Sequence, residues 1–484
     1  MKSGTEVNRR GFPAAAITLA AALVGLHGYF TAPARADGGQ GSQAMAQGKR
    51  DMTEGRYRRA MRRFRQAAAK GNSDAMDNIG VLYGQGDGVP QDYLKAMAWY
   101  RKAAAKGNGD AMNSIGFLYG HGDGAPKNAA KAMAWYRKAA TKGNGMAMYN
   151  IGVLYGHGDG VPQDYPTAMA WYRKAAAKGN GNAMNSIGFL YGHGDGAPKN
   201  AAKAMAWYRK AATKGNCSAF FNIGMLYDHG EGVPRDYAQA LEWLRKAATK
   251  GNGDAMNSIG FLYDHGDGVP KDAAKAMRWY RRAAAKGDRL AMYNIGNDYY
   301  HGNDVPRDKG KALAWWRKAA AKGSCHAMNN IGALYGRGDG VRQDRATAIA
   351  WYRKAAAKGN SLAMYNIGID YYHGTGVPQN YVKAMAWWRN AAAKGSSAAM
   401  ANIGFLYDHG EGVPKDAGKS MAWYRRAAAK GSGLGMLNVG IGYYTGDGAP
   451  RDKNKALMWL QRAEAAGGQG ALLARKAIAQ IKGR

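Results

Sequence analysis

Apolar residues recur along most of the chain at spacings of three and four, in short runs separated by glycine-rich segments. In residues 108–143, one run contains Ala111 and Ile115, and a second contains Ala132 and Ala139. This spacing places the apolar side chains of each run on one face of a helix. Since the glycines between the runs interrupt a helix, the pattern predicts pairs of amphipathic helices joined by turns, and an all-α chain.

The pair of runs repeats at a fixed interval of 36 residues. Tryptophan marks the interval at positions 99, 135, 171, 207, 243, 279, 315, 351, 387, 423 and 459. An Asp or Asn recurs at the start of each second run, where its side chain can accept a backbone N–H as a helix cap. A fixed period of this length is typical of a solenoid, whose units bury their apolar faces against their neighbours. The sequence therefore predicts one elongated domain of stacked helix-turn-helix repeats.

The repeated unit has the consensus A-M-x-x-I-G-x-L-Y-x-x-G-x-G-V-P-x-D-x-x-K-A-x-x-W-Y-x-x-A-A-x-x-G, and residues 293–300 read Y-N-I-G-N-D-Y-Y. This unit resembles the Sel-one-like repeat, a relative of the tetratricopeptide repeat, in eleven copies over residues 72–467. The resemblance implies a right-handed α-solenoid whose first helices line a concave surface. It also implies a general binding scaffold, without specifying a ligand.

The two ends depart from the repeat, as the caps of a solenoid do. We expect residues 37–71 to form a flexible start and a degenerate capping repeat, and residues 468–484 to form a C-terminal capping helix. One predicted helix of the degenerate repeat has a dense series of arginines, which we interpret as a patch for polyanions. These residues are Arg56, Arg58, Arg59, Arg62, Arg63 and Arg65.

Residues 1–36 have the features of an export signal. The pair Arg9-Arg10 precedes an alanine-rich apolar stretch, and residues 34–36 form the small-x-small cleavage pattern A-R-A. The arginine pair followed by Phe12 resembles a twin-arginine signal, with an ordinary secretory signal or an uncleaved anchor as alternatives. Export would make the chain periplasmic, secreted or envelope-associated, and its source bacterial.

Composition and charge narrow the classes of protein and partner. Aromatic residues make up 11% of the chain, too many for a disordered protein, and the mean hydropathy of −0.50 argues against an integral membrane protein. Removal of residues 1–36 would leave 65 of the 69 basic and 33 of the 34 acidic residues, a net charge of +32. For an exported chain this charge favours acidic polysaccharides, cell-wall polymers or anionic lipid surfaces over nucleic acid.

The positions of the first helices that are not needed for packing form a line, which in the second unit contains residues 110, 113, 117 and 120. We call this line and its equivalents in other units the groove line. Its second position alternates between asparagine and aromatic residues every 36 residues, so that the groove has a period of 72. The candidate ligand-binding residues are Asn113, Tyr149, Asn185, Phe221, Asn257, Tyr293, Asn297, Tyr300, Asn329, Tyr365 and Tyr372. Rings and amides suit an extended peptide or a sugar chain, but duplication of two-unit blocks would produce the same alternation.

Three other groups of residues are candidates for metal binding, a disulfide or a buried charge. Eight histidines share one position before the glycine turn, which favours hydrogen bonding at the helix end over a metal ladder. Cys217 and Cys325 lie three units apart, too far for a disulfide within one solenoid. Asp298 and Asp370 occupy a position that is leucine in most units, which predicts local exposure or an arginine partner. No arrangement indicates a catalytic site, a metal or a cofactor.

These observations favour an exported, non-enzymatic scaffold that binds a protein or an extended peptide on its concave face, in envelope assembly or host interaction. The alternative is electrostatic binding of an anionic polymer or an anionic lipid surface along the basic surface. Salt distinguishes the two, because polyanion binding weakens steeply as ionic strength rises.

Overall fold

The computed structural model of the protein describes residues 40–303 and 305–482, so the predicted export signal lies outside the described residues. Within these ranges the chain forms 25 α-helices and no strand, which confirms the predicted all-α solenoid. The helices are α1 (Gln40–Thr53), α2 (Tyr57–Ala69), α3 (Ser73–Gln85), α4 (Tyr93–Ala105), α5 (Gly109–His121), α6 (Ala129–Thr141), α7 (Gly145–His157), α8 (Tyr165–Ala177), α9 (Gly181–His193), α10 (Ala201–Thr213), α11 (Cys217–His229), α12 (Tyr237–Thr249), α13 (Gly253–His265), α14 (Ala273–Ala285), α15 (Arg289–His301), α16 (Lys309–Ala321), α17 (Cys325–Arg337), α18 (Arg345–Ala357), α19 (Ser361–His373), α20 (Tyr381–Ala393), α21 (Ser397–His409), α22 (Ala417–Ala429), α23 (Gly433–Thr445), α24 (Lys453–Ala465) and α25 (Gly468–Lys482).

Each repeat consists of an odd-numbered first helix and an even-numbered second helix that pack against each other. The described chain falls into two compact units, which divide between Lys250 and Gly251. Within each unit the second helix of a repeat also packs against the first helix of the next repeat. Alanine, isoleucine and methionine side chains of both helices fill the core, as the apolar spacing predicts.

Side-chain caps begin the helices of the repeats. At the start of α5, Asn108 Oδ1 accepts a hydrogen bond from the Ala111 amide at 2.8 Å, and at the start of α6 Asn128 Oδ1 accepts from the Lys131 amide at 2.9 Å. Every second helix from α4 to α24 has such an Asp or Asn cap. The caps satisfy amides that have no partner inside the helix, and those of the second helices confirm the capping predicted from the sequence.

A glycine in each first helix allows the two helices of a repeat to approach closely. A Cβ added at Gly116 would lie 2.7 Å from the ring of Tyr136, which α6 contributes to the core. Real Cβ atoms do not approach other heavy atoms so closely. The tyrosine ring therefore occupies the space that a side chain at Gly116 would need.

Hydrogen bonds between polar side chains join consecutive repeats at two places. The guanidinium of an arginine on a second helix donates to the hydroxyl of a tyrosine 18 residues later, for example from Arg101 to Tyr119 at 3.2 Å and from Arg317 to Tyr335 at 2.8 Å. At the helix starts, the cap Asn144 donates through Nδ2 to Asp110 Oδ1 of the preceding first helix at 2.7 Å. These bonds fix the register of one repeat on the next.

At one junction between repeats the capping residue is an aspartate instead of an asparagine, so two carboxyl groups face each other. Asp288 caps α15 by accepting from the Ala291 amide at 2.6 Å, and it faces Asp254 of α13. Burial and the neighbouring Asp254 raise the pKa of Asp288 to about 6. Below about pH 6 the pair therefore holds a proton that the amide junctions do not need.

Candidate functional site

The asparagines of the groove line bond to the next repeat. Their Oδ1 atoms accept hydrogen bonds from the Nδ2 atoms of asparagines 37 residues later, at 2.9 to 3.1 Å. The pairs are Asn113 with Asn150, Asn185 with Asn222, Asn257 with Asn294, and Asn329 with Asn366. Asn113 and Asn329 are buried, and Asn185 and Asn257 are half-buried. The side-chain oxygen of each of these four predicted site residues thus accepts a hydrogen bond within the protein.

The sequence contains a signal for these pairs that the analysis of single positions missed. Asparagine occupies 150, 222, 294 and 366 in the units that follow an asparagine of the groove line. Serine occupies 114, 186 and 258, but asparagine also occupies 78, 330, 402 and 438. The two positions therefore vary together with the period of 72 only in the earlier units, up to Asn294. The bonded amide pairs give the asparagines of the groove line a structural role at the junctions between first helices.

The aromatic residues of the groove line remain partly exposed. Tyr149, Phe221, Tyr293 and Tyr365 are each half-buried. The Tyr149 ring lies 5.6 Å from the ring of Tyr172, and burial raises the pKa of Tyr149 although its hydroxyl hydrogen-bonds with Ser186. These rings offer apolar surface beside the asparagine junctions.

The repeats that contain α15 and α19 share a set of aromatic and acidic substitutions. Tryptophan replaces the usual tyrosine of the second helix, and Trp316 and Trp388 are almost completely buried. Trp316 Nε1 donates to the Tyr293 carbonyl at 3.3 Å and to Asn297 Oδ1 at 3.2 Å, so the predicted site residue Asn297 supports the tryptophan. Trp388 Nε1 donates to the Tyr365 carbonyl at 3.1 Å.

The rings of Tyr300 and Tyr372 pack against these tryptophans. The ring centroids of Tyr300 and Trp316 lie 5.3 Å apart, and those of Tyr372 and Trp388 lie 5.6 Å apart. The hydroxyl of each tyrosine meets an acid in the turn of the next repeat. Tyr300 donates to Asp339 Oδ2 at 2.8 Å, and Tyr372 hydrogen-bonds to Glu411. Burial and then Glu411 raise the pKa of Tyr372 to about 12. The structure thus brings the predicted residues Tyr300 and Tyr372 into two related clusters.

The two acids at the leucine position are buried, so the predicted local exposure is wrong. Asp298 and Asp370 have only 8% and 7% of their surfaces exposed. Burial raises the pKa of Asp370 to about 6, and the positive charge of Arg345 partly opposes this rise. The alternative expectation of an arginine partner stays a prediction, because Arg345 acts on Asp370 through its charge alone.

Leucine side chains at the first position of the groove line are exposed, which the sequence analysis did not single out. Leu290, Leu362 and Leu434 have 40%, 54% and 40% of their surfaces exposed and are spaced by 72 residues. Most other units have Asp, Asn, Ser or His at this position. All three leucines lie in the compact unit that begins at Gly251, as do the clusters of Tyr300 and Tyr372.

The arginines of the predicted polyanion patch are exposed on α2, but several have partners. Arg56 forms ion pairs with Asp51 and Glu54, Arg63 contacts Gln66, and Arg65 donates to the Tyr83 hydroxyl at 3.1 Å. Within the described residues no carboxylate pairs with the remaining three, which are Arg58, Arg59 and Arg62. The patch is therefore partly neutralised at its N-terminal end.

Lysine side chains form a second basic feature. An exposed lysine follows the last residue of every second helix from α2 to α22, at positions 70, 106, 142, 178, 214, 250, 286, 322, 358, 394 and 430. The negative end of the helix dipole favours a cation there. Other cations stack on the tryptophans of the second helices, for example Lys102 at 4.3 Å from the Trp99 ring.

Four of the eight recurrent histidines bond to a backbone carbonyl at the helix end, as predicted. The Nδ1 atom of His121 lies 2.9 Å from the Phe117 carbonyl, and its ring stacks on Phe117 with centroids 3.8 Å apart. The same arrangement recurs at His193, His265 and His409.

In the part of the chain that the structure describes, no cluster of ligands suits a metal ion, and no helix is long and apolar enough to cross a membrane. Cys217 and Cys325, both within the described residues, form no disulfide.

Comparison with known proteins identifies the repeat. The family model described as Sel1 repeat matches residues 73–108, 109–144, 145–180, 181–216, 218–252, 253–288, 289–324, 325–360, 361–396, 397–432 and 433–468. The crystal structure of c5321, a protective antigen present in uropathogenic Escherichia coli strains that displays an SLR fold, is similar, with 33% identity and a TM-score of 0.55. The similarity covers 87% of this chain and 90% of that chain. The structure of a Sel1 repeat protein from Oxalobacter formigenes is 36% identical over 52% of this chain and 100% of that chain, with a TM-score of 0.48. No curated protein matches the chain.

Proposed function

The chain belongs to the Sel1-repeat family, and from this premise we propose that it is an exported, non-enzymatic scaffold that binds a protein or an extended peptide along its first helices. Members of this family are typically non-catalytic scaffolds, and such repeats commonly bind proteins. The features of residues 1–36 support export to the periplasm or the envelope, and binding there would serve envelope assembly or host interaction.

The row of exposed leucines is the observation that carries the proposal. Leu290, Leu362 and Leu434 lie on first helices of one compact unit and expose 40% or more of their surfaces. Partly exposed Tyr293 and Tyr365 follow three residues after the first two leucines. Exposed apolar residues on one surface are typical of interaction sites when they form a patch, and these leucines recur at one position of the first helices. Aromatic residues are also enriched among the residues that dominate binding.

Capture from envelope extract tests this proposal. Residues 37–484 would be immobilised, and the captured proteins compared with those captured by the triple variant Leu290→Ser, Leu362→Ser, Leu434→Ser. We expect the wild type to capture the partner even at high salt, and the triple variant to fail to capture it. The matched control is Leu94→Ser with Val382→Ser, which removes side chains of 70% and 63% exposure from second helices. Equal capture by wild type and the triple variant would refute binding through the first helices.

Binding of an anionic polymer is the second candidate, and the exposed arginines of α2 favour it. Arg58, Arg59 and Arg62 are exposed without a carboxylate partner among the described residues, and the lysines after the second helices extend the basic surface. Retention on heparin, used as a polyanion probe, should fall steeply between about 50 and 200 mM salt and depend on these arginines. Retention that is unchanged in the triple variant Arg58→Gln, Arg59→Gln, Arg62→Gln would exclude α2 as the polymer site.

A further inference from the structure

Glu411 lacks the internal cation that pairs with the equivalent acid in two other repeats. Glu231 has Lys199, 32 residues earlier, with Nζ 3.9 Å from Oε2. Asp339 has Lys309, 30 residues earlier, as an ion-pair partner. The corresponding positions before Glu411 are Gln379 and Tyr381, both neutral.

The second oxygen of this carboxylate has no partner. Tyr372 hydrogen-bonds to Glu411, as Tyr300 does to Asp339. Glu411 Oε2 is shielded from solvent and accepts no hydrogen bond from any described residue. A carboxylate oxygen in such surroundings is costly unless a donor or cation reaches it.

Aromatic rings pack around Tyr372, the residue that hydrogen-bonds to this carboxylate. The centroid of the Tyr372 ring lies 5.3 Å from that of Tyr381 and 6.3 Å from that of Phe405. Trp388 packs against Tyr372 from the core at 5.6 Å, and Phe405 has 36% of its surface exposed. Faces of aromatic rings attract cations, and more strongly where water is partly excluded.

No other turn acid among the described residues combines these features. Asp123 and Asp195 likewise have a neutral glutamine 32 residues earlier and a tyrosine 30 residues earlier. In their repeats, however, Gly84 and Gly156 occupy the place of Tyr372. These acids therefore have no aromatic wall. The related cluster at Tyr300 contains the ammonium of Lys309 itself.

We propose that Tyr372, Tyr381, Phe405 and Glu411 form a binding site for a lysine or arginine side chain of a bound peptide. The inference rests on the proposed function, because it assigns the chemistry of one contact on the first-helix surface. The incoming cation would occupy the role that Lys309 has at Asp339, with the rings of Tyr372, Tyr381 and Phe405 beside it. A side-chain rotation of Glu411 would bring Oε2 to the cation.

Titration with Nα-acetyl-lysine amide tests the site without any protein partner. Binding to residues 37–484 would be followed by NMR of tyrosine ring protons, with the neutral Nα-acetyl-norleucine amide as the matched probe. We expect saturable shifts with the lysine probe and an affinity at least about fivefold weaker for the norleucine probe. Equal affinities for the two probes, or no saturable shift, would overturn the site.

Three variants assign the binding to this cluster. Glu411→Gln keeps the shape and should weaken the lysine probe about fivefold, whereas Tyr381→Lys should abolish binding by supplying an internal ammonium as at Lys309. Asp339→Asn alters the related cluster and should leave binding unchanged. Unaltered binding in Glu411→Gln would overturn the inference even if Tyr381→Lys were unstable. If the wild type fails to bind the lysine probe but still captures a partner through Leu290, Leu362 and Leu434, this site alone is overturned. If the wild type binds the probe but its capture of a partner does not depend on these leucines, the proposed leucine surface alone is overturned.

Discussion

The carboxyl pair at the start of α15 gives a prediction with a worked magnitude. Asp288→Asn would restore the amide junction seen at Asn144, whose Nδ2 donates to Asp110 at 2.7 Å. An asparagine at this position can still cap α15 through its oxygen. We therefore expect the variant to be more stable than the wild type at neutral pH.

The pKa of Asp288 sets the size of this gain. Burial and Asp254 raise the pKa to about 6 from an ordinary value of about 3.9. A difference of about two pKa units corresponds to about 3 kcal/mol at pH 7, since each unit is worth about 1.4 kcal/mol. Loss of the favourable charge at the helix N-terminus offsets up to about 1 kcal/mol. The expected net gain is about 2 kcal/mol.

The sign of the pH dependence follows from proton binding. Between about pH 4 and 6 the folded protein holds a proton on Asp288 that the unfolded chain releases, so the stability of the wild type falls as pH rises through this window. Below about pH 4 the carboxyl is protonated in both states, and the advantage of Asp288→Asn should disappear. Above about pH 6 the advantage should be constant.

Thermal unfolding between pH 3.5 and 8 measures this difference. A gain of about 2 kcal/mol corresponds to a rise of roughly 4–8 °C in the midpoint for a unit of this size. Amide hydrogen exchange of α15 would report the same change locally. The reciprocal variant Asn144→Asp creates a carboxyl pair with Asp110 and should lose stability over the same pH window. An advantage of Asp288→Asn that does not vary with pH would refute the reasoning.

Two further substitutions test packing and the junctions between repeats. Gly116→Ala places a Cβ 2.7 Å from the Tyr136 ring and should cost about 1–3 kcal/mol in urea unfolding, whereas Gly120→Ala meets its nearest atoms only at 3.8 Å and should be neutral or stabilising. Equal effects of the two would contradict the close approach. Asn366→Ala removes the amide that donates to the buried Asn329 oxygen at 3.1 Å and should cost about 1–2 kcal/mol, because that oxygen loses this donor. Asn402→Ala is the control, since the residue 37 positions earlier is Tyr365, and a similar loss of stability in both variants would show that the amide pair is unimportant.

The sequence was sufficient to predict the helices, the caps of the second helices and the helix-end bonds of four of the recurrent histidines. These features depend on residues within one repeat, such as Asn128 with Lys131 and His121 with Phe117. Local spacing and side-chain chemistry determine such contacts, and a period repeated eleven times makes the pattern hard to mistake. The exposed leucines were also visible as a 72-residue series on the groove line, although the analysis of aromatic and amide positions passed over them.

Contacts between repeats decided the rest. The amides of Asn113 and Asn329 belong to a predicted binding line, yet stacking places them against Asn150 and Asn366. Stacking likewise brings residues 30 to 40 positions apart together around Glu411, and only there does the missing cation become apparent. By itself the amino-acid sequence determined the repeating helical unit, because that unit is stabilised by local bonds and an apolar face. Only the tertiary structure decided which polar and aromatic side chains are used between neighbours and which remain for a partner, because this depends on the distance between atoms of successive repeats.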